Sequence, residues 1–234
     1  MPNYVTTKLT FRGSKEFVEQ LVNAVKTKES AFDFNKIIPM PQSLNITSGS
    51  YTERGMQYLL LKSKSSSIFW TNDERSFVEK MESSKNSEDE KERDYFDECL
   101  KLGRIALENI AKYGAPTWYE WCIAHWGTKW NACDVDDNDL PYSITFQTAW
   151  SFPYPVIQKL SEMFPEVKIG FIFADEDCGS NTGRGTFVAG EEQNVEYPET
   201  GSKRAYELYI AAWGEQDWLV YDKETDNYRY VEDE

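Results

Sequence analysis

Two strand-and-helix signatures, one opening the chain and one past its middle, flank a stretch rich in Glu, Lys and Arg that reads as helical. That order restricts the possible folds more than any other feature. In the first signature Asn3–Phe11 alternates, with Val5, Thr7, Leu9 and Phe11 on one side and Tyr4, Thr6, Lys8 and Thr10 on the other. Gly13-Ser14 breaks the strand, and Ser14 suits the N-cap of a helix that carries Glu16 in its first turn. Phe17, Val18, Leu21, Val22 and Val25 follow at helical spacing, over Ser14–Val25. Phe32–Ile38 reads as a second strand, stopped by Pro39 and Pro41. In the second signature Tyr142–Trp150 is a strand, Pro155–Phe164 an amphipathic helix, and Val167–Ala174 a nearly continuous apolar strand suited to a central position. Four such strands in one antiparallel sheet, with both helices on one face, form the split β-α-β plan of an α+β fold.

The intervening chain is expected to be helical. Asn72–Tyr113 is rich in Glu, Lys and Arg, with Phe77, Tyr95, Phe96, Leu100, Leu102, Ile105, Leu107 and Ile110 among them. This predicts a helix near Asp73–Met81, a long helix over Glu88–Lys112 closed by Gly114, and a short one from Pro116 to Trp126. The organisation expected is one elaborated domain over 1–234, with a mostly helical insertion at 51–141. An extension at 191–234 comprises a helix near Lys203–Trp213 and a hairpin over Trp218–Val231.

Charge narrows the function classes. Forty acidic against 25 basic residues leave a formal charge of −15, which argues against binding to nucleic-acid backbone or to an anionic membrane, since phosphate neutralisation needs cations. The N-terminus has no cationic segment leading into an apolar run, and no apolar run approaches the roughly 18 residues of a membrane helix. Cys99, Cys122, Cys133 and Cys178 lack CxxC spacing and read as reduced thiols, so a cytoplasmic protein without cofactor is expected.

The segment Trp118–Ala132, the opening Met1-Pro2-Asn3-Tyr4-Val5, the Ile37-Ile38-Pro39-Met40-Pro41 stop and Phe146–Pro153 together resemble the YubB-type proteins carried by bacterial phages and plasmids. The resemblance, which runs to about Gly190, implies a ferredoxin-like fold without an iron–sulfur cluster, and a mobile-element context; the helical insertion and C-terminal extension read above would be additions to that fold. It implies no established activity.

Several residues are candidates for chemistry. On a helix Trp118, Trp121, Cys122 and His125 share one face, and Tyr119, Ile123 and Trp126 a neighbouring one. As core, these rings would dock the insertion on the sheet, with the single histidine, His125, satisfied and half-buried. As a site, Trp118, Trp121, His125, Lys129 and Trp130 would wall a pocket for a base, a sugar or a partner side chain, with Lys129 also suited to cation–π contact. A zinc site from Cys122, His125, Cys133 and Asp134 lacks the second ligand pair such sites show. Asp134–Asp139 lacks the glycine and glutamate of an EF-hand, with Asp139 and Thr145 in their places. Asp134 and Asp136 would hold a divalent metal only by meeting Asp175 and Asp177 in space. In Gly179–Thr186, Arg184 occupies the place of a P-loop's second glycine, so a hairpin loop with Arg184 paired to a carboxylate is expected.

Three readings follow. The first is a non-enzymatic accessory protein whose acidic surface binds a basic host protein, in its sharper form by mimicking nucleic-acid phosphate. The second is a metal-dependent hydrolase or nuclease built on the four aspartates. The third is a ligand- or base-binding protein with an aromatic pocket.

Overall fold

The computed structural model describes residues 3–64, 67 and 70–231; Met1 and Pro2, part of the opening motif, lie outside them. The chain divides into two compact units, 1–39 with 122–234, and 40–121. In the first unit the elements run β1 (Tyr4–Arg12), α1 (Lys15–Val25), then, past the second unit, β2 (Cys133–Asp136), β3 (Ser143–Ala149), α6 (Tyr154–Met163), β4 (Lys168–Asp175), β5 (Thr182–Val188) and β6 (Glu191–Glu196). Helix α7 (Lys203–Trp213) and a hairpin, β7 (Leu219–Asp222) with β8 (Asn227–Tyr230), complete it. The second unit holds α2 (Ser50–Ser63), α3 (Asn72–Lys85) and α4 (Glu90–Tyr113), and α5 (Trp118–Trp126) begins within it.

The six-stranded sheet is antiparallel throughout, in the order β2-β3-β1-β4-β5-β6. Its β2-β3-β1-β4 part, with α1 after β1 and α6 between β3 and β4, is the ferredoxin-like arrangement: β3-α6-β4 is split by β1. Register fixes the faces. Thr7 lies opposite Phe146 and Phe173, and Leu9 opposite Ile144 and Phe171, so these side chains share the core face. There Phe152 stacks on Phe171 and Phe173, both at 4.8 Å between ring centres, leading into α6 with its buried Val156, Ile157 and Leu160. Ser14 caps α1 as expected, accepting from the Phe17 N–H, and Val18, Leu21 and Val25 form its buried stripe.

The expected strand Phe32–Ile38 is a loop with a 3-10 turn at Phe34–Lys36. Its aromatic alternation reflects burial rather than pairing. Phe32 stacks on Phe146 at 4.9 Å and Phe34 meets the same ring edge-on at 6.0 Å, plugging the core. Backbone groups that a strand would offer its neighbours are taken by side chains instead. Asp33 accepts from the Asn35 N–H at 2.9 Å, and Asn131 accepts from the Phe34 N–H at 2.9 Å. The second strand of the fold is instead Cys133–Asp136, within the acidic segment read as a loop, an edge strand paired to β3. The helical elements end at Trp126, so the part of 51–141 beyond it belongs to the sheet side of the chain.

α7 packs on the opposite sheet face, where Ala174 joins Tyr209 and Leu219. The Trp213 indole donates to the Ala174 carbonyl at 3.0 Å. In the second unit Tyr58, Leu61, Val78, Met81, Phe96 and Cys99 form a separate core. Here α2 and α4 touch backbone to backbone: a Cβ on Gly55 would lie 1.8 Å from the Cys99 carbonyl oxygen. Asn109 of α4 donates to the Ser43 and Pro116 carbonyls, at 2.9 and 3.1 Å, and closes this unit.

Candidate functional site

One end of the sheet gathers aromatic rings, a cation and a hydrogen-bonded carboxylate. Trp150 follows β3 in the left-handed region, φ 70°, which is unusual for a bulky residue, costs on the order of 1–3 kcal/mol and persists only where its surroundings enforce it. They do so at both backbone groups. Its N–H donates to the Asn3 carbonyl at 2.8 Å, and its C=O accepts from Asn181 Nδ2 at 3.1 Å. The loop after α5 is tied to the same corner. Thr128 Oγ1 donates to the Ala149 carbonyl at 2.6 Å, and Ser151 Oγ donates to the Gly127 carbonyl at 2.5 Å.

These ties place Lys129 between two indoles. Its Nζ lies 5.0 Å from the ring centre of Trp130 and 5.0 Å from that of Trp150, within cation–π range of both. The Tyr4 ring stands 6.5 Å from Trp130. Burial and the Asp134 carboxylate push the Cys133 thiol up, while a hydrogen bond from Trp130 pulls it the other way. Trp150 is 41% exposed, so one of the two rings presents surface to solvent.

Behind Trp150 sits Asp175, buried at the end of β4. Its Oδ1 accepts from Asn3 Nδ2 at 3.1 Å and from the Asp177 N–H at 2.9 Å, and its Oδ2 from Asn181 Nδ2 at 3.1 Å. Asn181 thus links this carboxylate to the Trp150 backbone. Asp175 is a fixed post that shapes the corner, with both oxygens engaged by protein donors.

The other expected site residues are dispersed. Asp134 and Asp136 lie on β2, three strand steps from β4, or about 14 Å. Asp136 accepts from the N–H and side chain of Asn138, at 3.1 and 2.6 Å, as the start of a local turn. Among the described residues no group of three or more His, Cys, Asp or Glu is placed to hold a metal ion. His125 is exposed rather than half-buried, whereas Cys122 is buried and its thiol is pushed up to about 12 by that burial.

Of the tryptophans, Trp121 and Trp126 are buried and Trp118 half-buried. The Trp126 indole donates to the Ile38 carbonyl at 2.9 Å and its ring meets Phe34 edge-on at 5.6 Å. Trp126 is therefore core. Arg184 lies on strand β5 rather than in the expected hairpin loop, and it has the expected carboxylate partner, Glu196 at 2.6 Å. Trp150 was not singled out as a site residue, and residue type alone carries no signal for it: its significance rests on a backbone angle and on partners from three distant segments.

Charge is unevenly divided. The sheet-bearing unit holds 26 acidic and 14 basic residues, net −12, and the helical unit 14 and 11, net −3. Around the aromatic corner, exposed Glu176 and Asp177 follow β4, and exposed Asp134 follows Cys133 on β2. Among the described residues no helix is long and apolar enough to cross a membrane.

No curated protein matches this chain. The crystal structure of a protein api92 from Yersinia pseudotuberculosis is similar to it over 86% of this chain and 99% of that one, at 13% identity and a TM-score of 0.40. Residues 125–218, which run from the end of α5 through the sheet and α7, match the family model described as the ferredoxin-like domain in Api92-like protein.

Proposed function

We propose that this protein acts by binding, as a non-enzymatic accessory protein whose acidic sheet-bearing unit docks a basic partner at the Trp130–Trp150 corner. The observation that carries this reading is Lys129 itself. Two indoles already hold an ammonium between them, at 5.0 Å each, so the corner has the shape and quadrupole to take a cationic side chain. Exposed Glu176, Asp177 and Asp134 supply a negative rim. Charge of that sign speeds encounter with a basic surface and makes association salt-sensitive, and an exposed tryptophan is the side-chain type that most often anchors an interface. The resemblance to YubB-type proteins supports a mobile-element setting, with a host protein as partner in the cytoplasm. Carboxylates standing in for nucleic-acid phosphates are the sharper form of the same proposal.

The test is a titration of the full chain with lysine-rich and arginine-rich peptides at low and high salt, followed by tryptophan fluorescence. Binding that weakens with salt, falls in Trp150→Ala and rises in Lys129→Ala supports the proposal, because the last variant empties the cage. Salt-insensitive association would remove its electrostatic basis. Mg²⁺- or Mn²⁺-dependent turnover of a nuclease or phosphatase substrate, abolished by Asp175→Ala, would replace it with the hydrolase reading.

A further inference from the structure

Beside α7, on the sheet face that this helix partly covers, run two polar rows. One runs Asp136, Thr145, Lys8, Ile172, Arg184, Glu196, and the next Ser143, Thr10, Gly170, Thr186, Gln193, each set by the strand register. Between them lies a groove of about 560 Å³ lined by Lys8, Thr10, Gly170, Arg184, Thr186 and Asn194 among others, with Ala211 of α7 as one wall. Its volume is that of a small-molecule site. Its chemistry is opposite to the −12 charge of the unit that contains it.

Three local features aim donors into this groove. A bulge puts an extra residue on β6 opposite the Arg184–Thr186 stretch, with Asn194 left-handed at φ 52°; bulges of this kind re-aim a side chain, and Asn194 lines the groove. Gly170 has no side chain to fill the floor: a Cβ there would lie 2.5 Å from Thr10 Oγ1, so the glycine keeps that hydroxyl accessible. Lys8 has no ion pair among the described residues. The other charges near this face are engaged. Glu196 bridges Arg184 at 2.6 Å and Arg204 at 2.9 Å, and Arg204 also pairs with Glu207 at 2.7 Å. Glu196 is thus shared by two guanidiniums, and Lys8 is the cation of the first row that no carboxylate among the described residues pairs, with Asp136 two strands away at the β2 end of that row.

We infer that this groove binds a phosphate monoester, with the Lys8 ammonium and the Arg184 guanidinium taking the charge and Thr10, Thr186 and Asn194 donating to the remaining oxygens. Five donors of this kind, two of them cationic, match a tetrahedral dianion better than a planar carboxylate, which would leave donors unused. The site lies beside α7, away from the tryptophan corner, and does not depend on that corner's proposed role.

The experiment is an amide NMR titration of the full chain with O-phosphoserine, inorganic phosphate and serine. Saturable shifts centred on Thr10, Gly170, Thr186 and Asn194 with O-phosphoserine, absent with serine, are expected. Lys8→Gln should weaken binding by about tenfold while its thermal transition stays in place. Thr186→Val, which leaves both cations, should weaken it less. Shifts scattered over surface lysines, equal shifts with serine, or undiminished binding in Lys8→Gln would overturn the inference. Binding of inorganic phosphate without O-phosphoserine would overturn the monoester assignment.

Discussion

Gly55→Ala sets two physical effects of opposite sign against each other. In an exposed helix interior, alanine is better than glycine by about 1 kcal/mol, through backbone entropy. Here the new methyl would stand 1.8 Å from the Cys99 carbonyl oxygen and 2.7 Å from its carbon. Both are backbone atoms of α4 and cannot rotate away, so the two helices must part by more than an ångström. Overpacking of this kind costs roughly 1–3 kcal/mol, and forced backbone movement places it at the upper end. The contact with α4 also carries Tyr58, Leu61, Phe96 and Cys99 into one core, so separation loosens neighbours as well. A net loss of about 2 kcal/mol would lower the transition of a unit this size by roughly 8–16 °C. Calorimetry of the full chain, with the two units' transitions resolved, is the assay. Gly103→Ala meets the same contact from the other side, its Cβ 2.3 Å from the Gly55 carbon. The double variant should therefore lose less than the sum of the singles. A Gly55→Ala transition at or above that of the parent would refute the close approach of α2 and α4.

Other outcomes follow from single contacts. Trp126→Phe keeps a ring against Phe34 but strands the Ile38 carbonyl, and should cost about 1–2 kcal/mol in denaturant unfolding; Trp126→Ala should cost about 3–5 kcal/mol. In mapped alkylation of the native protein at pH 8, Cys133 and Cys178, both partly exposed, should react before buried Cys99 and Cys122. Cys122, whose thiol is pushed up to about 12 by burial, should react only on unfolding. Glu82 is held below the usual carboxylate range, first by the Tyr58 hydroxyl donating at 2.5 Å and then by Lys62 at 3.1 Å. Its contribution is present above the unfolded carboxylate pKa of about 4.3 and is lost as pH falls through the lower folded value. Glu82→Gln should accordingly flatten the acid limb of the stability–pH curve.

Elements that bury one face were readable from spacing alone. Val5, Thr7, Leu9 and Phe11 and the apolar run of β4 lie where alternation and composition put them, and Lys203–Trp213 is a helix over the expected residues. What failed was the edge. Cys133–Asp136 is half exposed, so its residues obey solvent rather than a core, and Asp-Val-Asp is indistinguishable from an acidic turn. Phe32–Ile38 failed in the other direction: aromatic side chains filling a core mimic a strand when Asp33 and Asn131 take the backbone hydrogen bonds. The α2 helix showed only its apolar Tyr58–Leu61 segment, because its tightest contact is made by a glycine. In the candidate site Lys129 and Trp130 were visible as a cation beside a ring, while Trp150 entered through a turn whose geometry depends on Asn3, Asn181 and the end of β3.

The bond from the Trp126 indole to the Ile38 carbonyl joins residues 88 positions apart, and these flank the points where the chain leaves and re-enters the sheet-bearing unit. For polymer closure, that unit requires the chain between them to begin and end at one place, whatever its length. The entropy of closing such a loop grows only as the logarithm of its length, so replacing the 88-residue path by one of about ten residues would change it by roughly 2 kcal/mol. For the sheet-bearing unit, the closure cost of the chain between Ile38 and Trp126 is thus only weakly tied to how long that chain is.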